Sequence, residues 1–110
     1  MAGSNLFRGT LDLLILQTLK WDPLHGYGIG RWVKEESGGA LELEEGVLYP
    51  ALRRIENRGW IKGEWGENDT GRKARFYSLT KEGWVALEKE TARWEEHAGA
   101  VFSILRKSEA

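Results

Sequence analysis

The sequence predicts a mainly α protein with one two-stranded β-hairpin and a last helix too long for the rest of the chain to cover. Three observations carry this. Apolar residues recur at helical spacing in four separate stretches. Two aromatic-rich runs, Trp60–Trp65 and Ala74–Leu79, flank a polar, Gly-containing segment, the pattern of a hairpin with a long tip. From Trp84 onward, apolar and small residues fall at alternating spacings of three and four, the signature of a coiled-coil-like seam. The chain has 110 residues, which fits one small domain.

The first predicted helix covers Thr10–Lys20. Leu11, Leu14, Ile15, Thr18 and Leu19 form its main stripe, and Leu13 and Leu16 make a second side apolar. One small domain does not easily cover both sides, so a second chain is expected on one of them. Trp21-Asp22-Pro23 ends the helix, because the residue before proline avoids the helical region. A second helix runs from His25 or Gly26 to Glu36, with Ile29, Trp32 and Val33 on its inner face. Gly26 and Gly28 cost a helix roughly 1 kcal/mol each, so their presence implies close backbone packing near its start. His25 is expected to bond a backbone group there. Ser37-Gly38-Gly39 is the stop, and Leu41–Leu43 reads as a short extended piece.

A third helix spans Glu45–Arg58 and ends at Gly59, the residue type favoured just past a helix. Leu48, Leu52 and Ile55 form its inner stripe, and Pro50 is expected to fall in the early turns where few amide bonds are lost. After the hairpin, Thr80 caps a fourth helix of about 27 residues, roughly 40 Å long. Trp84, Leu87, Thr91, Trp94, Ala98, Val101 and Leu105 make its seam. With Leu11 and Leu14 they are the residues expected at a homodimer interface, alongside packing on the first helix of the same chain. The chain thus divides at Thr80: 1–79 hold the first three helices and the hairpin, and 80–110 hold a dimerisation helix, within one compact domain.

Composition excludes several functions. There is no cysteine and there are only two histidines, so no metal site and no cofactor is expected. No nucleophile–base pair or carboxylate pair has a context that sets up catalysis, so no catalytic residue is expected. The short polar start Met1–Asn5 and the lack of a long apolar run predict a cytoplasmic protein with no membrane partner. The formal net charge of −1 is an average over unlike segments. Residues 1–52 are net −3, residues 53–79 are net +3, and residues 80–110 are net −1.

Helix, helix, helix, hairpin, helix is the element order of a winged helix-turn-helix with a C-terminal dimerisation helix. In that geometry the third helix would enter the major groove of double-stranded DNA. Its outer face presents Gly46, Tyr49, Pro50, Arg53 and Asn57, with Arg54 and Arg58 to the side. Arginine can bond guanine or a phosphate, tyrosine can bond a phosphate oxygen, and glycine permits close approach. Arg54 and Arg58 have an alternative, a salt bridge to Glu56 or to the wing. Arg72, Lys73 and Arg75 would form a basic wing along the sugar-phosphate chain. The candidate DNA-binding residues are therefore Gly46, Tyr49, Arg53, Arg54, Arg72, Lys73 and Arg75.

The sequence resembles the PadR-like transcriptional regulators. The resemblance rests on 9–16 (GTLDLLIL), 25–29 (HGYGI), 45–52 (EGVLYPAL), 58–61 (RGWI), 72–80 (RKARFYSLT) and 82–83 (EG), and it extends over about Leu6 to Leu105. The single C-terminal helix resembles the smaller subfamily. The resemblance implies a homodimeric repressor of a palindromic operator, often released by a small molecule. It also implies that Trp94 can take a planar aromatic effector between two copies. Where the family often has Ser or Thr, this chain has Val47, so one hydroxyl near the start of the groove helix is missing. The rival reading is a winged-helix protein-interaction module without DNA binding.

Overall fold

The structure, a computed structural model, describes residues 2–107, with side chains described from residue 9 onward. The elements are α1 (Ala2–Thr18), β1 (Leu24–His25), α2 (Gly26–Glu36), α3 (Glu45–Asn57), β2 (Ile61–Glu67), β3 (Lys73–Leu79) and α4 (Lys81–Leu105). The predicted order holds, with one addition. The sheet has three strands in the order β1-β3-β2, all antiparallel, rather than two.

The extra strand pairs Leu24 with Tyr77 and His25 with Phe76. Two residues are too few to show an alternating pattern, so β1 left no periodic signal. Its effect is to fasten the start of α2 to the wing. His25 also caps α2, its Nδ1 accepting from the Gly28 amide at 2.9 Å, the backbone bond expected of it. α1 starts earlier than the stripe that announced it, at Ala2 instead of Thr10. The expected extended piece at Leu41–Leu43 is not a strand, although Leu43 packs against the core.

Gly59, at φ +80°, closes α3. The amide of Trp60 bonds the Ile55 carbonyl and that of Gly59 bonds the Glu56 carbonyl, so the chain reverses into β2 with its last helical carbonyls satisfied. Pro50 lies three residues past Val47, the last position whose amide has no i−4 helical bond to lose. Glu45 is the first helical residue, so the missing N–H leaves the Gly46 carbonyl without its helical donor. Both residues are on the exposed face, where water can serve that carbonyl.

One core joins all layers. Ile15, Leu16 and Leu19 of the α1 segment meet Ile29 of α2, Leu48, Ala51, Leu52 and Ile55 of α3, Ile61 and Tyr77 of the sheet, and Ala86 and Leu87 of α4. Leu87, expected in the dimer seam, is thus a core residue of its own chain, only 5 % exposed. The reason is local. Thr80 accepts from the Gly83 amide, donates to the Gly59 carbonyl and bonds Trp60 through its amide, so the first turns of α4 are held against the α3–β2 junction. Gly83 sits so close to the Trp60 carbonyl that a β-carbon there would collide with it. Farther along, α4 leaves the body, and the molecule measures 61 × 29 × 28 Å.

Candidate nucleic-acid interface

α3 buries Leu48, Ala51, Leu52 and Ile55 and turns the opposite side outward. Gly46, Val47, Tyr49, Pro50, Arg53 and Asn57 are all exposed, which agrees with the outer face expected from helical spacing. Tyr49 is 45 % exposed and lies over Gly26 at the start of α2. A β-carbon at Gly26 would come within 2.7 Å of the tyrosine ring, so a side chain there would push the exposed Tyr49 ring from its place. Arg53 points away from the core, and no ion pair ties it to another described residue.

Two arginines expected to contact DNA have intrachain partners. Arg54 pairs with Asp12 of α1, not with Glu56 or the wing; Asp12 is buried and Arg54 half-buried. Arg75 donates from Nη2 to Glu56 Oε2 at 2.7 Å, joining β3 to α3. This hydrogen bond to Glu56 raises the Arg75 pKa further above its ordinary value, so its charge is fixed. Arg58 stacks over Trp60, with 4.9 Å from Cζ to the ring centroid.

The wing tip is built by Asn68. Its Oδ1 accepts from the amides of Thr70 and Arg72 and from the Thr70 hydroxyl, and Gly71 takes φ +78°. This turn leaves Arg72 and Lys73 exposed at the end of the hairpin. Trp65 stands directly across from Arg75 in the ladder. It is 63 % exposed, so it is a hairpin residue but not a core one. Lys73 Nζ lies 5.2 Å and Arg75 Cζ 5.7 Å from its ring centroid. Trp65 was absent from the expected site. Its signal was there: it alternates onto the same face of the hairpin as the two basic residues. Tyr49, Trp65, Lys73 and Arg75 line one open groove of about 950 Å³ between α2 and the wing. Tyr49 also borders a second hollow with Arg53, Arg54 and Arg58. The helix face and the wing therefore form one continuous surface through Tyr49.

The residues expected in a seam along α4 differ in exposure. Trp84, Trp94, Val101 and Leu105 are exposed, and Thr91 and Ala98 are half-buried. Val85, Phe102 and Ile104 widen the exposed apolar surface. Leu14 is half-buried, and Leu11, also half-buried, packs against the core. Trp94 donates from Nε1 to Thr10 Oγ1 at 3.0 Å and is 40 % exposed. Among the described residues, no group of three or more histidine, aspartate or glutamate side chains could hold a metal ion. No helix of the described residues is long and apolar enough to cross a membrane.

A three-stranded winged helix-turn-helix with a long terminal helix, and a basic, aromatic surface spanning its third helix and wing, defines a class: the winged-helix transcriptional regulators. The profile of the transcriptional regulator PadR-like family matches residues 15–89, and the chain belongs to that family. Its members are transcriptional regulators, not enzymes. The chain is 32 % identical over 96 residues to a transcriptional regulator of Mycobacterium tuberculosis, covering 86 % of this chain and 85 % of that protein. It is 29 % identical to the negative transcriptional regulator PadR of Bacillus subtilis, over 91 % of this chain, and spans 60 % of that longer protein. Among solved structures, a transcriptional regulator from Clostridium thermocellum superposes with a TM-score of 0.83 at 25 % identity, covering 93 % of this chain and 99 % of that one.

Proposed function

We propose that this chain is a homodimeric DNA-binding repressor. Each α3 would enter a major groove of a palindromic operator, and each wing would lie along the flanking phosphates. The observation that carries the reading is the continuous surface from Arg53 through Tyr49 to Lys73. It draws on the basic excess of residues 53–79, on the side of α3 that faces away from the core and on the wing. Phosphate binding is the chemistry that a basic surface of this kind serves. In this reading Gly46, Tyr49, Arg53, Arg72 and Lys73 touch DNA. Arg75 reaches it only while remaining bonded to Glu56, and Arg54 supports from behind. The regulator would work in the cytoplasm, where its operator lies.

Dimerisation rests on the exposed apolar stripe of α4, continued by the half-buried side of α1. Repression is supported by the name of the Bacillus subtilis relative, a negative regulator. A planar aromatic effector is supported by Trp94, which is anchored at Nε1 and yet 40 % exposed within the stripe.

A mobility-shift assay with the region upstream of its own gene, at roughly 50 mM salt where phosphate contacts are strong, tests the reading. A shift by the wild type that weakens in Arg53→Ala is expected. No shift, with Arg53→Ala behaving as wild type, would leave a winged-helix protein-interaction module as the correct description.

A further inference from the structure

Arg54 occupies the boundary between the outer and inner faces of α3, and its guanidinium reaches back to Asp12 on α1, 42 residues earlier. Asp12 is 5 % exposed, one of the two polar residues in the buried set. A pair with a buried carboxylate and a half-buried guanidinium adds little net stability over two apolar side chains of the same volume, because desolvation of the carboxylate offsets most of the attraction. What it does supply is geometry. A planar guanidinium accepts a carboxylate along its edges in few orientations, so the pair fixes how α3 is rotated against α1.

A second contact gives that rotation a reach. Thr10 lies two residues before Asp12 and accepts from Trp94 Nε1 on α4. Two residues on a helix of 3.6 residues per turn are about 200° apart, so the two side chains leave α1 on nearly opposite sides. α1 is thus clamped between α4, through Thr10, and α3, through Asp12.

We propose that Asp12 is a positioning residue for operator reading: by holding Arg54 it sets the rotation of the groove-facing helix on α1 and so links that helix to the Trp94 contact on α4. The inference rests on the DNA-binding reading above and adds a residue that touches no DNA. A small rotation of α3 would leave its positive charge in place but move Tyr49 and Arg53 off their base and phosphate positions. Sequence discrimination would fall, while sequence-independent attraction to phosphates would remain.

The test uses the full chain and two duplexes of equal length, one covering the region upstream of its own gene and one with that sequence scrambled. Asp12→Asn, Arg54→Gln and Asp12→Glu are compared with wild type by fluorescence anisotropy over a salt series, with thermal unfolding measured alongside. Asp12→Glu keeps the charge but shifts the guanidinium by one methylene, and its unfolding reports how the packing takes the added group. All folded variants are expected to lose about tenfold in affinity for the upstream duplex, the scale of one lost specific base contact, with the scrambled duplex and the salt slope unchanged. Variants that unfold earlier but keep wild-type discrimination at a temperature where they are folded would overturn the proposal. So would a slope lower by about one in Arg54→Gln, which would make Arg54 a phosphate contact. A wild type that separates the two duplexes while the variants match it defeats only this inference. A wild type that binds neither defeats the DNA-binding reading, and this inference with it.

Discussion

Arg75 on the wing donates to Glu56 on α3 across 2.7 Å, and this bond joins the two elements proposed to face DNA. The guanidinium fills the space over Gly63, where a β-carbon would run into it, and stacks against Trp65 on its outer side. Wing and helix thus meet through a side chain whose charge is permanent.

Glu56→Gln keeps the shape of the acceptor and removes its charge. The wing is expected to lose its fixed angle to α3, and affinity for the upstream duplex to fall several-fold with the salt slope unchanged. Titrating that duplex at two salt concentrations checks it. Tighter binding would mean that Arg75 is more useful to DNA when released.

Trp65→Ala removes the ring over which Lys73 is held. A cation–π contact at an exposed site contributes about 0.5–1 kcal/mol, so affinity should fall roughly twofold to fivefold. Stability should fall by no more than about 1 kcal/mol, the scale of that intrachain contact, because the side chain is otherwise largely in water. Affinity and urea unfolding measured on the same preparation separate a contact role from a folding role.

Val101→Asp places a charge in the apolar stripe of α4, well beyond the turns that pack on the core. Under the proposed homodimer, the wild type should sediment as a dimer and this variant as a monomer at the same concentration. Its thermal unfolding should become independent of protein concentration, since the partner no longer stabilises it by mass action.

Burial raises the Tyr77 phenol above its ordinary value of 10.0, with the nearby Glu56 charge adding to the effect and Arg75 opposing it. A group raised on folding contributes stability that is complete below its unfolded pKa and is lost as the pH climbs through the folded one. Stability should therefore decline above about pH 10, and Tyr77→Phe should flatten that decline. Denaturant unfolding between pH 8 and 11 reads the difference.

Much of this architecture was legible in local patterns. The stripe Leu48, Leu52, Ile55 indicated which side of α3 is buried, and Thr80 marked the start of α4 because a cap bonds only three residues ahead. His25 was legible for the same reason. What escaped was long-range or too short. β1 has two residues. The partners of Arg54 and Arg75 lie 42 and 19 residues away, and nothing in the spacing of charges identifies an ion pair at that separation. Leu87 shows a different limit: a heptad repeat has the same spacing whether its partner helix belongs to the same chain or another. The first turns of α4 face the core and the later ones do not, a change set by the anchoring of Thr80 and Gly83 to the α3–β2 junction.

Hydroxyl-radical footprinting of the region upstream of its own gene tests the central claim most directly. A dimer that sets two α3 helices into successive major grooves should protect two short stretches on one face of the duplex, about 34–36 Å apart from centre to centre. Protection should fade in Arg53→Ala. A single protected stretch, or uniform cleavage at a protein concentration where the dimer is formed, would contradict the account.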